Sequence, residues 1–91
     1  MTASRFQFDP RKAAENLRKH GVRFGDAEGV FADPLAIHRG DPDAGGEERF
    51  VAVGLGNEGR LLVVVYVQRG REIRLISARR ATRREARAYA Q

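Results

Sequence analysis

The chain has 91 residues, enough for one hydrophobic core and too few for a second domain or a dinucleotide-binding fold. Apolar residues make up 42% and charged residues 32%, a soluble globular composition, and the absence of cysteine excludes a disulfide scaffold, a thiol nucleophile and Cys-based zinc sites. The formal net charge is +5 and is unevenly placed: residues 1–68 carry nine basic and ten acidic groups, whereas residues 69–91 carry eight arginines against Glu72 and Glu85. A GC-rich genome would account for Arg over Lys, but not for this clustering. An arginine block reads as a polyanion-binding surface, because the planar guanidinium grips phosphate bidentately.

The elements follow in chain order. Phe6-Gln7-Phe8 alternates as a short strand. Asp9-Pro10 predicts a helix start, with Asp9 as N-cap. Ala13, Leu17 and His20 fall on one face of that helix with Asn16 beside them, and Gly21 suits its end. A shorter helix follows, with Phe24, Ala27, Glu28 and Phe31 on one face, no good N-cap at Arg23, and a stop at Asp33-Pro34. Leu35 to Arg39 predicts a strand, and residues 40–46 a loop. Glu47 to Leu55, Leu61 to Val67 and Glu72 to Arg80 predict three strands joined by tight turns. The middle one is continuously apolar and is expected to be buried on both faces. Thr82-Arg83-Arg84-Glu85 fits a capping box opening a last helix, packed through Ala86, Tyr89 and Ala90. The fold expected is a single α+β domain over residues 1–91. Its order is β-α-α-β-β-β-β-α, with helices on an antiparallel sheet.

No seven-residue apolar run spans a bilayer, and the N-terminus lacks a signal-peptide core, so the expected location is the cytoplasm with no membrane partner. Gly54-Leu55-Gly56-Asn57-Glu58-Gly59 matches a phosphate-loop pattern, but a strand follows it where a helix is required, so the glycines read as hairpin punctuation. The acidic loop Asp41 to Glu47 is too short for an EF-hand. His20 and His38 are too few for an imidazole metal site. His20 reads as a residue closing its helix or one facing a nucleic acid, and His38 as a lone residue without a role.

The C-terminal segment carries the strongest signal. Alternation puts Ile73, Leu75, Ser77 and Arg79 on one strand face and Arg74, Ile76, Ala78 and Arg80 on the other. Arg74, flanked by apolar residues, is expected to need an anionic partner: Glu47, Glu48 or a phosphate. Arg83 and Arg84 stand at the positive end of a helix, unfavourable for stability but suited to phosphate.

Several segments together resemble the BrnT family of bacterial toxins, small RelE-like ribonucleases. They are Phe6-Gln7-Phe8-Asp9-Pro10 with Lys12-Ala13, Asn16-Leu17-Arg18-Lys19-His20-Gly21-Val22-Arg23-Phe24, and Val30-Phe31-Ala32-Asp33-Pro34. Glu48-Arg49-Phe50, Gly54, Leu61 to Tyr66 and Ile73 to Arg79 follow, then Ala81, Glu85 and Tyr89. Phe8, Gln7 and Arg23 depart from the Trp, acidic and capping residues common there. The resemblance implies RNA cleavage that stops translation and neutralisation by a BrnA-type antitoxin with a ribbon-helix-helix part. It further implies a heterotetramer that represses its operon by binding operator DNA through the antitoxin. RNA cleavage by attack of the 2′-OH on the adjacent phosphorus needs alignment and stabilisation of phosphorane charge, which arginines supply without a metal or other cofactor. Arg49 and Arg79 are the main catalytic candidates. Tyr89, His20 and Glu85 are the available acids and bases, although packing explains Tyr89 and the capping box explains Glu85. Arg74, Arg80, Arg83 and Arg84 are the candidate phosphate contacts. The alternatives are a non-catalytic RNA- or DNA-binding module, a DNA-binding repressor and an adaptor for an acidic protein.

Overall fold

A computed structural model describes residues 5–45 and 48–91. The elements are β1 (Arg5–Gln7), α1 (Pro10–His20), α2 (Phe24–Ala27), a 3-10 helix (Glu28–Ala32), β2 (Ile37–Gly40), β3 (Arg49–Leu55), β4 (Leu61–Arg69), β5 (Glu72–Arg80) and α3 (Arg83–Tyr89). The proposed signal-free N-terminus and the first residue of the expected third strand, Glu47, lie outside the described residues.

The five strands form one sheet in the order β1-β5-β4-β3-β2. The meander β2 to β5 is antiparallel as the tight turns require, but β1 joins β5 in parallel. That pairing needs no turn, because almost the whole chain separates the two strands. Central β4 is buried on both faces: Leu62 and Val64 are inaccessible on one, and Val63 and Val67 nearly so on the other. Leu62, Val64 and Leu75 meet Val22, Phe24, Ala27 and Val30 from the helical layer in the core. Each fully buried side chain of this size contributes about 1.5–3 kcal/mol. The C-terminal helix is not grouped with the others. The groove beside it is bounded by Arg84, Glu85 and Ala88 together with Ile37, Val51 and Val53, on the face turned away from the core.

Local signals behave as their chemistry dictates. The Asp9 side chain accepts from the Arg11 N–H at 2.9 Å, and Gly21 closes α1 in the left-handed region at φ 70°. Arg23 offers α2 no side-chain cap, and α2 is a single turn that passes into the 3-10 helix. The β3–β4 turn is held from below by the buried carboxylate of Asp26. Asp26 accepts from the Glu58 N–H at 2.7 Å and pairs with Arg60 at 3.1 Å. A Cβ on Gly56 would lie 2.6 Å from the Asp26 carboxylate, so this glycine is a close-approach position, while Gly59 supplies a positive φ of 81°. The glycine-rich pattern is therefore part of a docked hairpin.

Two expectations fail for one reason. Val65 pairs with Ser77 but Tyr66 with Leu75, so Ile76 is an extra residue, a β-bulge. A bulge reverses the alternation beyond it. Ile73 and Leu75 consequently share the core face with Ala78 and Arg80, whereas Arg74, Ser77 and Arg79 share the other. Arg74 and Arg79 are thus on the same face, and Arg80 is on the opposite one. Arg74 is also exposed rather than desolvated, and among the described residues no carboxylate lies within ion-pair distance of it.

The third correction concerns α1. Its buried residue is Asn16, and His20 is exposed. The Asn16 carboxamide accepts from the Ala78 N–H at 3.0 Å and donates to the carbonyls of Ala78 at 2.8 Å and Val22 at 2.9 Å. β1 pairs only as far as Arg74, so the edge of β5 beyond the bulge lacks a strand partner, and the amide takes that place. Replacing Asn16 by Leu removes all three bonds at similar volume. With each buried unpaired polar group costing about 1–3 kcal/mol, we expect a loss of about 3 kcal/mol or more. Thermal unfolding followed by circular dichroism should show Tm reduced by at least about 10 °C, and a change below about 3 °C would contradict this role.

Candidate functional site

The sheet face opposite the core is organised as cross-strand rows. One row runs Gln7, Arg74, Val67, Arg49 across β1, β5, β4 and β3. The next is Ser77, Val65, Val51, Arg39, and the third is Arg79, Val63, Val53, Ile37. Valines form the floor and arginines stand at the flanks. Arg49 and Arg74 occupy the strands on either side of Val67, which places their backbones about 10 Å apart, within the reach of two guanidinium groups closing on one phosphate. They line a cavity of about 390 Å³ with Gln7, Lys12, Arg69 and Glu72. Arg79 lies opposite Val63, four residues along β4 from Val67, or about 13 Å at the strand's rise.

The two arginines favoured from sequence differ in how they are held. Arg49 donates through Nε to the Asp41 carboxylate at 2.9 Å and through Nη2 to the Asp43 carbonyl at 2.7 Å, so the acidic loop aims this side chain. Arg79 makes a two-pronged pair with Glu85 at 2.9 and 2.8 Å. Glu85 also accepts from the Thr82 N–H at 2.8 Å, completing the expected capping box. The Arg79 guanidinium holds the Glu85 carboxyl down to about 2, and the hydrogen bonds with Glu85 raise the Arg79 pKa in turn. The anion at the start of α3 is therefore Glu85 itself. Arg83 is exposed beside it, and Arg84 reaches the groove over Ile37, Val51 and Val53.

Tyr89 donates its hydroxyl to the Asp33 carboxylate at 2.6 Å. Asp33 also accepts from the N–H groups of Leu55 and Leu35, each at 2.9 Å. The Leu55 N–H, then Tyr89 and Leu35, lower the Asp33 pKa. Hydrogen bonding to Asp33, with burial and the nearby charge, raises that of Tyr89. This links the end of α3 to the segment preceding β2. His20 does not line the Arg49–Arg74 groove but an adjoining cleft with Glu15 and Lys19, and Lys12 and Ile76 border both. Arg80 points to the helical face.

Lys12, Gln7, Arg39 and Arg69 belong to the basic face but were not singled out from sequence. Lys12 carries no local signal, because only the packing of α1 against β5 brings it to the groove. Arg39 and Arg69 were hidden in a strand and a turn whose faces depend on register. Among the described residues no three His, Cys, Asp or Glu side chains cluster as a metal holder, and no helix is long and apolar enough to cross a membrane.

A meander with one parallel edge strand, a helical layer behind and arginines across the other face defines a small α+β protein with one basic sheet face. Residues 8–85 match the family model of BrnT, the ribonuclease toxin of type II toxin-antitoxin systems, and the chain belongs to this family. Family membership brings a ribonuclease toxin's RNA substrate and an antitoxin partner. The fold is similar to the crystal structure of the Brucella abortus ribonuclease toxin BrnT, with TM-score 0.71 and 24% identity over 89% of this chain and 100% of that one. Comparison with curated protein sequences gives no match.

The Arg79–Glu85 pair predicts a specific acid sensitivity. A folded-state pKa near 2 against an ordinary glutamate value of about 4.3 means that the stabilisation is complete above the higher value and is lost as pH falls towards 2. In urea unfolding, wild type should exceed Glu85→Gln in stability by a constant margin above about pH 5, and the margin should shrink between about pH 4.5 and 2. A margin independent of pH over that window would contradict the pairing.

Proposed function

We propose that the chain cleaves RNA by aligning the 2′-OH with the adjacent phosphorus and stabilising the phosphorane with Arg49 and Arg74. The observation that carries this reading is the placement of these two arginines on either side of Val67, on one face of rigid central strands. Charge develops on the non-bridging oxygens as the 2′-oxygen attacks and the 5′-oxygen leaves. The Arg49 guanidinium, fixed beforehand by Asp41 and the Asp43 carbonyl, stabilises that charge with little reorganisation, and Arg74, without a carboxylate partner among the described residues, supplies the second grip. The valine floor offers apolar contact to sugars and bases, while Lys12, Arg39 and Arg69 extend the positive surface along the strand of RNA.

Arg79, with Glu85, forms a second station on the same face, and Arg84 adds a phosphate contact beside it. Glu85 is held as the anion by Arg79 and Thr82 and has little affinity for a proton, so it positions Arg79, while solvent takes the proton of the 2′-OH and returns one to the departing 5′-oxygen. Tyr89 is engaged with Asp33 and would have to leave that bond to donate a proton. His20 and Arg80 contact RNA only where it passes beyond the face. Catalysis rests mainly on positioning and charge, needs no metal and is slow. Cleavage of translated or free RNA in the cytoplasm inhibits translation. A BrnA-type ribbon-helix-helix antitoxin neutralises the toxin in a heterotetramer that represses the operon through operator DNA.

Incubation with a short end-labelled RNA and its DNA counterpart tests this. RNA alone should be cut, leaving 2′,3′-cyclic phosphate ends, with EDTA without effect. Arg49→Ala and Arg74→Ala should each slow cleavage at least about tenfold with little change in Tm, whereas Arg79→Ala should also lower stability. Cutting that is unchanged in all three variants would expose a contaminating nuclease. A salt-reversible mobility shift without cutting would favour the non-catalytic binding module.

A further inference from the structure

The opposite face of the same sheet end holds a recess that the cleavage chemistry does not use. Strand alternation makes it back-to-back with the Arg49–Arg74 groove: Phe50 follows Arg49, Gln68 follows Val67 and Ile73 precedes Arg74, and all three turn into the recess. Its volume is about 460 Å³. The walls are aromatic. Phe50 stacks on Tyr66 with centroids 5.5 Å apart, and Phe31 meets Tyr66 edge-on at 4.8 Å and His38 at 5.7 Å. Phe31 and Phe50 are only half-buried, and the His38 residue is exposed, so ring surface remains available to a ligand.

The polar groups are equally specific. His38 Nδ1 and the Tyr66 hydroxyl lie 2.8 Å apart. Burial raises the Tyr66 pKa and lowers that of His38, so the two share this bond as neutral groups. The Nε2 edge of His38 has no partner among the described residues and is free to bond a ligand. Arg39 lines both this recess and the groove over Val51 and Val53, so its side chain spans the open edge of β2 and makes the positive surface continuous from one face to the other. An aromatic recess with one free imidazole edge, reached past a guanidinium, has the chemistry of a nucleobase site: a flat π-surface to pack on, and a hydrogen bond to a polar edge of the base.

We infer that this recess receives the base of a nucleotide beyond the open edge of β2, on the same RNA strand whose phosphate is held by Arg49 and Arg74, with Phe31, Phe50 and His38 contacting the base and Arg39 its phosphate. The inference rests on the RNA reading of the groove. It makes the recess a determinant of which base stands a short distance along the strand from the cleaved bond.

Fully 2′-O-methylated RNA tetranucleotides bind without being cut, because the nucleophile is blocked. Each carries a 3′ fluorescein and 2-aminopurine at one internal position. Fluorescein anisotropy reports binding, and 2-aminopurine emission reports stacking in the recess. With the full chain, emission should fall at least threefold on binding for one position of the fluorophore. His38→Leu and Phe50→Leu should weaken binding at least fivefold and abolish the quench. Arg49→Ala should weaken binding but leave the quench of the bound oligonucleotide. Saturable binding with no quench at any position, or a quench unchanged in His38→Leu and Phe50→Leu, would overturn the recess while leaving the groove intact. No saturable anisotropy change even at low salt would overturn both readings together.

Discussion

An amide side chain stands in for a missing strand. β1 accompanies β5 for only three residues, and beyond the bulge at Ile76 the exposed backbone of Ala78 finds its donor and acceptor in Asn16. The same carboxamide binds the carbonyl of Val22, so one residue closes the turn after α1 and fixes the helix against the sheet. The second half of β5 is thereby held in its shifted register. That register is what brings Arg74 and Arg79, five residues apart, onto a common face. An unbroken strand would divide them, and the basic face would lose one of its arginines.

Buried and half-buried carboxylates do the remaining long-range fastening. Asp26 holds the β3–β4 turn under the helical layer, and Asp33 joins β3, the segment before β2 and the end of α3. Both come from the short irregular stretch after α1, where one helical turn passes into a 3-10 helix. A longer, well-capped helix there would carry these aspartates away from the backbone groups they satisfy. Weak local helix chemistry at Arg23 is thus compatible with a rigid structure, because the stretch is held by the groups it binds rather than by its own hydrogen bonds.

The arginines divide by what already holds them. Arg79 is engaged by Glu85 and Arg49 is steered by Asp41, while Arg74 has no carboxylate partner among the described residues. A guanidinium bound through one edge keeps its other edge for phosphate, and an unpaired neighbour supplies the second grip. The arrangement leaves net positive charge on a face whose floor is valine.

Much of the local architecture was legible in the sequence, because its signals act between residues a few positions apart. Asp9-Pro10, Gly21 and the Thr82–Glu85 capping box mark helix ends by backbone groups within one turn. The unbroken apolar run from Leu61 identifies a strand buried on both sides. The basic C-terminal quarter gives the sign of the surface charge, and the ordered segments from Phe6 to Tyr89 announce the BrnT family. The composition of the face was not legible. Period-two alternation assumes unbroken pairing, so it divided Arg74 from Arg79 and joined Arg79 to Ile73 and Leu75. Lys12 and Arg39 reach the site through packing and register, and His38 was passed over because its partner, Tyr66, is 28 residues away. The sequence by itself determined the elements, their order and the sign of the surface. The tertiary structure decided which side chains share it, because register and bulges follow from backbone groups that find partners only when distant segments meet.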